Sequence, residues 1–195
     1  MNDSFINKNF CFRRIFDLFF VLISLPISFP LFLIGCLLAI FNLNEPVIYS
    51  QPRVGLKGEL FLIYKIRTIS NKSKIKSADS NNQTSFLGNF LRLSKIDELP
   101  QLFNVLRGDM SIIGPRPEQP HYVQEFLKEN PSFTLRHDIK PGITGWAQVN
   151  LPKAKPKDNL KKLKFDLYYI KEYSWKLDFL ILIKTIKIVL TFNSN

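Results

Sequence analysis

The sequence predicts one membrane-associated α+β domain. It should have an N-terminal re-entrant membrane helix-break-helix, a small β-hairpin, and several short and amphipathic interfacial helices. Three observations lead there. Residues 16–41 are almost wholly apolar, with Asp17 at the edge as the only charge. Residues 45–68 alternate apolar and polar side chains around Gly55 and Gly58, the pattern of paired strands. The rest carries short helical periodicities cut by proline and glycine, none long enough for a second span. At 195 residues there is room for one substantial core. The net charge is +11 with 46% hydrophobic residues and 18 phenylalanines, and the pI is near 9.7. A basic, phenylalanine-rich chain suits an anionic partner beside a membrane, whether anionic lipid, nucleotide phosphate or nucleic acid. Cys11 and Cys36 lie in or beside apolar sequence without a second cysteine at metal or redox spacing, which predicts reduced thiols. His121 and His137 lack zinc-ligand spacing. No repeat is present, and no small-residue cleavage site follows the apolar run, as a signal peptide would require.

Residues 1–15 are polar and then basic, with Lys8, Arg13 and Arg14, and are expected in the cytoplasm. Residues 16–41 as a straight helix would reach about 39 Å, enough to cross a hydrocarbon core of roughly 30 Å. Pro26 and Pro30 interrupt it, and each removes a backbone hydrogen bond. The arms beside them are each about 15–18 Å long, too short to cross alone. Three of the 27 Lys and Arg precede the segment and the other 24 follow it. Positive flanks stay on the cytoplasmic side, so a hairpin that dips in and returns satisfies both. One tilted, kinked span is the alternative. Residues 42–195 then form the cytosolic part.

Pro46 opens a strand at 47–49, and 59–68 is the second strand. Phe61, Ile63, Lys65 and Arg67 fall on one face, with Lys65 and Arg67 about 7 Å apart. That spacing fits neighbouring phosphates or a solvated basic edge. Residues 71–85 are rich in Ser, Asn and Lys without periodicity, which predicts a solvent-facing loop. Residues 121–127 read as helix and 131–140 as a connector. The stretch KPGITGWAQVN at 140–150 predicts a tight loop shaped by its backbone, with Trp146 at the membrane interface or in the core. Residues 160–173 and 175–190 read as helices. The second has Trp175 and Lys176, Lys184 and Lys187 in an apolar run, as interfacial helices do.

The centre of the chain is LRLSKIDELPQLFNVLRGDMSIIGPRP at 91–117. Leu99, Leu102, Phe103 and Leu106 repeat at i, i+3, i+4 and i+7, one helical face. Pro100 is tolerated only in a first turn and Gly108 is a natural stop. The helix should therefore start near Asp97. This places Asp97 and Glu98 at its positive end, where ionised carboxylates are favoured. They are either an acidic cap on a surface helix or a reactive pair. Adjacent carboxylates offer a nucleophile at phosphorus and a hard-oxygen site for Mg²⁺.

Beyond these local patterns, 97–117 resembles the DELPQ-x-x-N-V-x-x-G-D-M-S-x-x-G-P-R-P signature of the bacterial sugar transferase family, the monotopic phosphoglycosyl transferases. Asp97, Glu98, Leu99, Pro100, Gln101, Asn104, Val105, Gly108, Asp109, Met110, Ser111, Gly114, Pro115, Arg116 and Pro117 all match. The hairpin is similar to the family's P-V-x-x-x-Q-x-R-x-G pattern at Pro46, Val47, Gln51, Arg53 and Gly55. It continues to match at Gly58, Phe61, Lys65, Arg67 and Thr68, with Ile66 where phenylalanine is usual. PGITGWAQV also matches, and Asp166 with Tyr168 and Tyr169 resembles a D-x-x-Y segment. Beyond Ile66, the chain departs from the family twice. Phe29 stands where a serine precedes the membrane proline, with Ser28 the nearest hydroxyl. The family's N-G-R-N is replaced after Asn150 by Leu-Pro-Lys-Ala, leaving Lys153 for the missing arginine.

The resemblance implies a short catalytic form that moves a sugar 1-phosphate from a UDP-sugar to a polyprenol (undecaprenol) phosphate, releasing UMP. It implies that Asp97 attacks phosphorus, that Glu98 with Asp97 holds Mg²⁺, and that Arg116, fixed between Pro115 and Pro117, meets the nucleotide. Lys65, Arg67 and Arg92 would hold phosphates. Gln148, Lys153 and Asp166 would reach sugar or phosphate, although Asp166 paired with a neighbouring lysine is the simpler reading. Pro26 and Pro30 would break the membrane hairpin at the bacterial inner membrane. The partners implied are the lipid bilayer and downstream glycosyltransferases, not nucleic acid. A basic membrane-anchored protein binding anionic lipid or nucleic acid without catalysis is the rival class. Its binding would depend on total charge and ignore Asp97.

Overall fold

The computed structural model describes residues 3–43, 45–70, 85–155 and 158–191, with side chains from Phe12 onward. The expected loop at 71–85 lies outside the described residues except for Ser85. Its Oγ accepts from Gly88 N at 3.0 Å and caps helix α2, Phe86–Leu93.

Helix α1 is Asp3–Asn42. Residues 12–42 of it are apolar and long enough to cross a membrane, and its most apolar window is only 17% buried. A core helix of that hydropathy would be covered by protein, so α1 fits membrane association. Pro26 and Pro30 lie inside a run assigned as helix throughout. The break expected there does not end the helix, because a proline removes one donor and bends the axis without terminating it. Ser28 does not stand in for the missing serine. Its Oγ is buried and finds no partner among the described residues, while Ser24 Oγ donates to Val21 O at 2.8 Å.

Both halves of α1 pack on the same globular body. Arg13 donates to Ile113 O at 2.9 Å and to Tyr169 Oη at 2.6 Å. Arg14 donates to Leu106 O at 2.6 Å and also to Val105 O. Asp17 accepts from Ser111 Oγ and Ile112 N, both at 2.9 Å. Val21 enters the main core with Ile63, Val105, Met110 and Ile112. Farther along, Ala39 packs with Ile66 and Leu91 in a separate cluster.

Strands β1, Ile48–Val54, and β2, Leu60–Ile66, form the expected antiparallel hairpin, pairing Ile48 with Ile66 and Val54 with Leu60. The central helix starts later than its periodicity suggests. Ile96–Glu98 is a separate 3₁₀ turn, and α3 is Gln101–Arg107 with Pro100 as its N-cap. It stops at Gly108, whose φ of 93° is left-handed. Only part of the apolar face is buried. Gln101, Asn104 and Val105 point inward, while Phe103 and Leu106 are 54% and 40% exposed. The cause is the backbone of β2. Asn104 Nδ2 donates to Leu62 O at 2.7 Å and its Oδ1 accepts from Tyr64 N at 3.2 Å. Buried backbone groups require such partners, so a polar residue takes the inward position beside Leu102, which packs on the main core, while Phe103 and Leu106 turn outward.

A second, unpredicted sheet pairs β3, Ser111–Ile113, in parallel with β4, Gly142–Thr144. Three-residue strands are too short to leave an alternating pattern. The approach is so close that a Cβ on Gly142 would lie 2.0 Å from Gly114 N, so this position admits only glycine. Helix α4 is Pro120–Glu129, 131–138 is a 3₁₀ helix rather than an irregular connector, and α5 is Trp146–Asn150. Helix α6 is Asn159–Lys171 and α7 is Trp175–Leu190, as expected. Helix α7 docks through Thr185 Oγ1 on Thr144 Oγ1 at 2.6 Å and Lys184 Nζ on Asn150 Oδ1 at 2.9 Å. Lys184 also lies 4.6 Å from the centre of the half-buried Trp146 ring. Phe179, Ile183, Ile186 and Leu190 face outward, as on an interfacial helix.

Candidate active site

The site begins with the 3₁₀ turn. Lys95 enters it in a left-handed conformation, φ 59°, an uncommon one for a side chain other than glycine, asparagine or aspartate. The turn then buries Asp97 and Glu98, at 7% and 9% exposure. Glu98 is the organised member of the pair. Its Oε1 accepts from Lys65 Nζ on β2 at 2.8 Å and from Arg116 Nη2 at 2.7 Å. Burial would push this carboxyl up, but Arg116 and Lys65 outweigh it and hold Glu98 well below the usual carboxylate range. The same pairing raises the Arg116 guanidinium above its ordinary value.

Asp97 is the contrasting member. Its Oδ1 is buried without a partner among the described residues. Burial first and the Glu98 charge second push its carboxyl up to about 6, against the pull of Lys65, Lys95 and Arg92. It is a desolvated carboxylate with an uncommitted oxygen beside fixed positive charge, which are the conditions for an activated nucleophile.

Arg116 is positioned by its backbone. Gly142 N donates to Pro115 O at 2.9 Å and Val54 N donates to Glu118 O at 3.0 Å. Arg136 donates to Arg116 O at 2.8 Å and Arg53 to Pro117 O at 3.1 Å. Four consecutive carbonyls are thus held, and the proline rings fix the chain direction on either side. Pro115 and Pro117 act as this frame and are buried.

A cavity of about 700 Å³ opens against the turn, within the range of small-molecule sites. Arg92, Lys95, Glu98, Arg116, Gln148 and Asp166 stand on its wall. Asp97 does not, although its neighbours Ile96 and Glu98 do. Gln148 keeps both side-chain polar atoms buried without partners among the described residues. Asp166 pairs with an arginine, not a lysine: Arg136 Nη2 lies 2.8 Å away, the two side chains 4% and 2% exposed. Burial pushes the Asp166 carboxyl up to about 6, and Arg136 opposes that. Arg67 lies just past β2. Its partners are Glu45 at 3.3 Å, Pro46 O at 2.8 Å and the Tyr49 ring at 5.4 Å, so it braces the open end of the hairpin. Lys153 is exposed and is not a wall residue.

Sequence reasoning missed Lys95, Arg53, Arg136 and the Glu118–Lys162 pair at 2.9 Å, all wall residues. Arg53 carried a signal, as part of the matched hairpin pattern. Lys95 and Arg136 carried none, since neither periodicity nor spacing marks a lone cation. Among the described residues no third Asp, Glu, His or Cys joins the carboxylate pair as a metal ligand. The pair nevertheless fits a hard cation that takes its other ligands from water and substrate. Among the described residues Asp97 Oδ1 is uncommitted, and Glu98 Oε2 has only Arg116 Nη1 at 3.5 Å.

A carboxylate pair ringed by cations lies beside a cavity lined in part by the apolar helix α1. Comparison with known proteins identifies the family. The family described as bacterial sugar transferase matches residues 8–192. The UDP-N-acetylgalactosamine-undecaprenyl-phosphate N-acetylgalactosaminephosphotransferase of Aeromonas hydrophila is 42% identical over 184 residues, covering 92% of this chain and 44% of that protein. An uncharacterized sugar transferase of Bacillus subtilis, EpsL, is 36% identical over 180 residues, covering 91% and 87%. The UDP-glucose:undecaprenyl-phosphate glucose-1-phosphate transferase of Escherichia coli is 40% identical over 149 residues, covering 72% and 32%. The chain therefore spans less than half of the Aeromonas protein and most of EpsL. With the match running almost from end to end, the chain belongs to the bacterial sugar transferase family.

Proposed function

We propose that this protein transfers a sugar 1-phosphate from a UDP-sugar to a polyprenol phosphate at the inner face of the bacterial cytoplasmic membrane. The observation that carries the reading is the asymmetry of the carboxylate pair. Glu98 is held ionised by two cations, whereas Asp97 is buried, pushed up to about 6 and left with a free oxygen. In the first step an Asp97 oxygen attacks the sugar-bearing phosphorus. The bond from that phosphorus to the oxygen bridging the two phosphates breaks, and UMP leaves with the electron pair. In the second, an oxygen of the polyprenol phosphate attacks the same phosphorus, releases the Asp97 carboxylate, and yields the polyprenol-diphosphate-sugar. Arg116, Lys65, Lys95 and Arg92 offset the charge that gathers on the phosphate oxygens. Asp97 and Glu98 would hold Mg²⁺, which supplies further charge neutralisation at the phosphates. Because Asp97 lies just behind the wall, the substrate phosphate meets it at the edge of the turn, beside Glu98.

The re-entrant reading of α1 is part of this proposal. Its support is that Arg13, Arg14 and Val21 in the first half and Ala39 near the far end all pack on one globular body. A helix crossing the bilayer would carry its two ends to opposite sides. A helix bent at Pro26 and Pro30 returns to the same side, with the catalytic part in the cytosol and Phe103, Leu106 and the outer face of α7 at the interface.

The test is intact-mass measurement and UMP release with Mg²⁺ and a panel of UDP-sugars, for the wild type and for Asp97→Asn. A phosphosugar mass on the wild type and none on the variant supports the covalent path. Turnover by Asp97→Asn equal to wild type would refute it.

A further inference from the structure

The half of α1 beyond Pro30 has two faces. Leu33, Ile34, Leu37 and Ile40 are exposed, while Gly35 and Ala39, one turn apart, are buried. The buried face packs on residues from three elements: Ile66 at the end of β2, Leu91 on α2 and Ile96 in the 3₁₀ turn. Each is the sequence neighbour of a site residue. Ile66 follows Lys65, Leu91 precedes Arg92, and Ile96 precedes Asp97. The three converge at Gly35. A Cβ there would lie 2.7 Å from Ile66 Cδ1, 2.7 Å from Ile96 Cγ2 and 3.7 Å from Leu91 Cδ2. Carbon atoms pack at about 3.5–4.0 Å, so the first two would have to give way. Ile66 Cδ1 ends a flexible side chain and can swing aside. Ile96 Cγ2 is carried by a β-carbon whose χ1 is stiff, so a side chain at position 35 would move Ile96 and the turn with it.

We propose that Gly35 is a positioning residue for the transfer. By letting α1 come into contact with Ile66, Leu91 and Ile96, it fixes Lys65, Arg92 and Asp97 relative to one another. Gly35 touches no substrate and acts only through those three neighbours. The membrane arm is then part of the catalytic frame and not an anchor alone. Arg116 is held separately, by the backbone bonds at 115–118 and by Arg53 and Arg136, all of them outside α1. A disturbance at Gly35 should therefore slow the attack by Asp97 more than it weakens donor binding. This rests on the transfer reaction proposed above and adds which part of α1 that reaction depends on.

The test compares two overpacked variants of α1 in nanodiscs. Gly35→Ala adds a methyl group against Ile96, and Val21→Ile adds one in the main core, away from the three neighbours. The amides of Glu98 and Leu99, bonded to Lys95 O at 3.1 Å and Ile96 O at 3.2 Å, report the turn by hydrogen exchange. Gly35→Ala should speed their exchange at least about fivefold over wild type, and Val21→Ile should not. In the reaction, Gly35→Ala should slow adduct formation about tenfold while the KM for the UDP-sugar stays within about threefold. Adding Ile96→Leu, which removes Cγ2, should restore most of the rate. Equal exchange and equal rates in the Gly35 and Val21 variants, or a loss in Gly35→Ala that Ile96→Leu does not relieve, overturn the proposal. Should Gly35→Ala fail to fold, Ile96→Ala opens the same contact without added bulk, and unchanged exchange and rate there overturn it. The exchange measurement requires no turnover. A wild type that forms no phosphosugar adduct therefore defeats the transfer reaction and leaves exchange to decide the role of Gly35.

Discussion

Asp97 and Asp166 are buried beside the same cavity and pushed in the same direction, each to about 6, yet they are partnered in opposite ways. Asp166 Oδ2 lies 2.8 Å from Arg136 Nη2 in an ion pair whose angle falls short of a hydrogen bond, and Arg136 in turn holds Arg116 O. Asp97 has cations nearby but leaves Oδ1 unbound. Burial by itself therefore does not distinguish the two. A closed ion pair is a structural strut, whereas a desolvated carboxylate with a free oxygen keeps its capacity to bond something that arrives. The same contrast separates Glu98 from Asp97, one residue apart. The member gripped by Lys65 and Arg116 organises the site, and the one left loose is available for chemistry.

The largest expected effect breaks this comparison at the reactive end. Asp97→Asn should lower turnover by at least about 10³-fold and abolish the phosphosugar adduct, since the amide is not a nucleophile at phosphorus. Its melting temperature should be no lower than wild type at pH 7.5, because the change removes a carboxylate whose ionised form is disfavoured by burial. Asp166→Asn should do the reverse. It leaves the Arg136 charge buried without its partner, which costs about 3–5 kcal/mol and lowers the melting temperature by about 10 °C for a chain of this size. Differential scanning fluorimetry beside UMP release reads both. Equal losses of stability in the two variants would erase the distinction.

Much of this contrast was legible in the sequence, and what was not has a physical reason. The apolar segment, the hairpin, the glycine stop at Gly108 and the carboxylate pair are local patterns, and the structure keeps them. The inward place of Asn104 on α3 left no sequence signal, because it answers backbone groups on β2, a need created by tertiary contact. The β3–β4 pair was missed because it joins residues some thirty apart through strands of three. Asp166 was paired with the wrong kind of cation for the same reason, since Arg136 lies on a separate 3₁₀ helix. Arg67 shared a strand face with Lys65 in the alternation, but β2 ends at Ile66. One residue beyond the strand, its side chain turns to Glu45 instead of the cavity.

Arg116 tests how tightly the organising carboxylate must be held. Arg116→Lys keeps the charge and loses the planar fork, so kcat/KM for the UDP-sugar should fall about 10- to 100-fold while the fold persists. A drop under twofold would mean that charge alone suffices at Glu98.

pH gives a finer separation. The Asp97 carboxyl is raised, so its contribution to stability is complete below the ordinary aspartate value and is lost as pH rises through about 6. Activity runs the other way, because attack needs the ionised form. At fixed Mg²⁺ the adduct-forming step should fall about tenfold per unit below pH 6 and level off above it. Asp166→Asn should leave that limb in place. A limb that vanished with Asp166→Asn would exchange the roles of the two aspartates.

The smallest effect is expected at Lys153. It was the one candidate to replace the arginine missing after Asn150, yet it is exposed and off the cavity wall, while Arg136, 4% exposed on that wall, already meets Asp166. A solvated lysine at the surface contributes little to a site it does not line. Lys153→Ala should therefore change kcat/KM by less than about twofold and leave the melting temperature alone, in contrast to Arg136→Ala, which should lose stability as Asp166→Asn does. A tenfold loss of activity in Lys153→Ala with stability unchanged would show that the 151–155 segment folds over the cavity when substrate binds, and would return the missing arginine's role to Lys153.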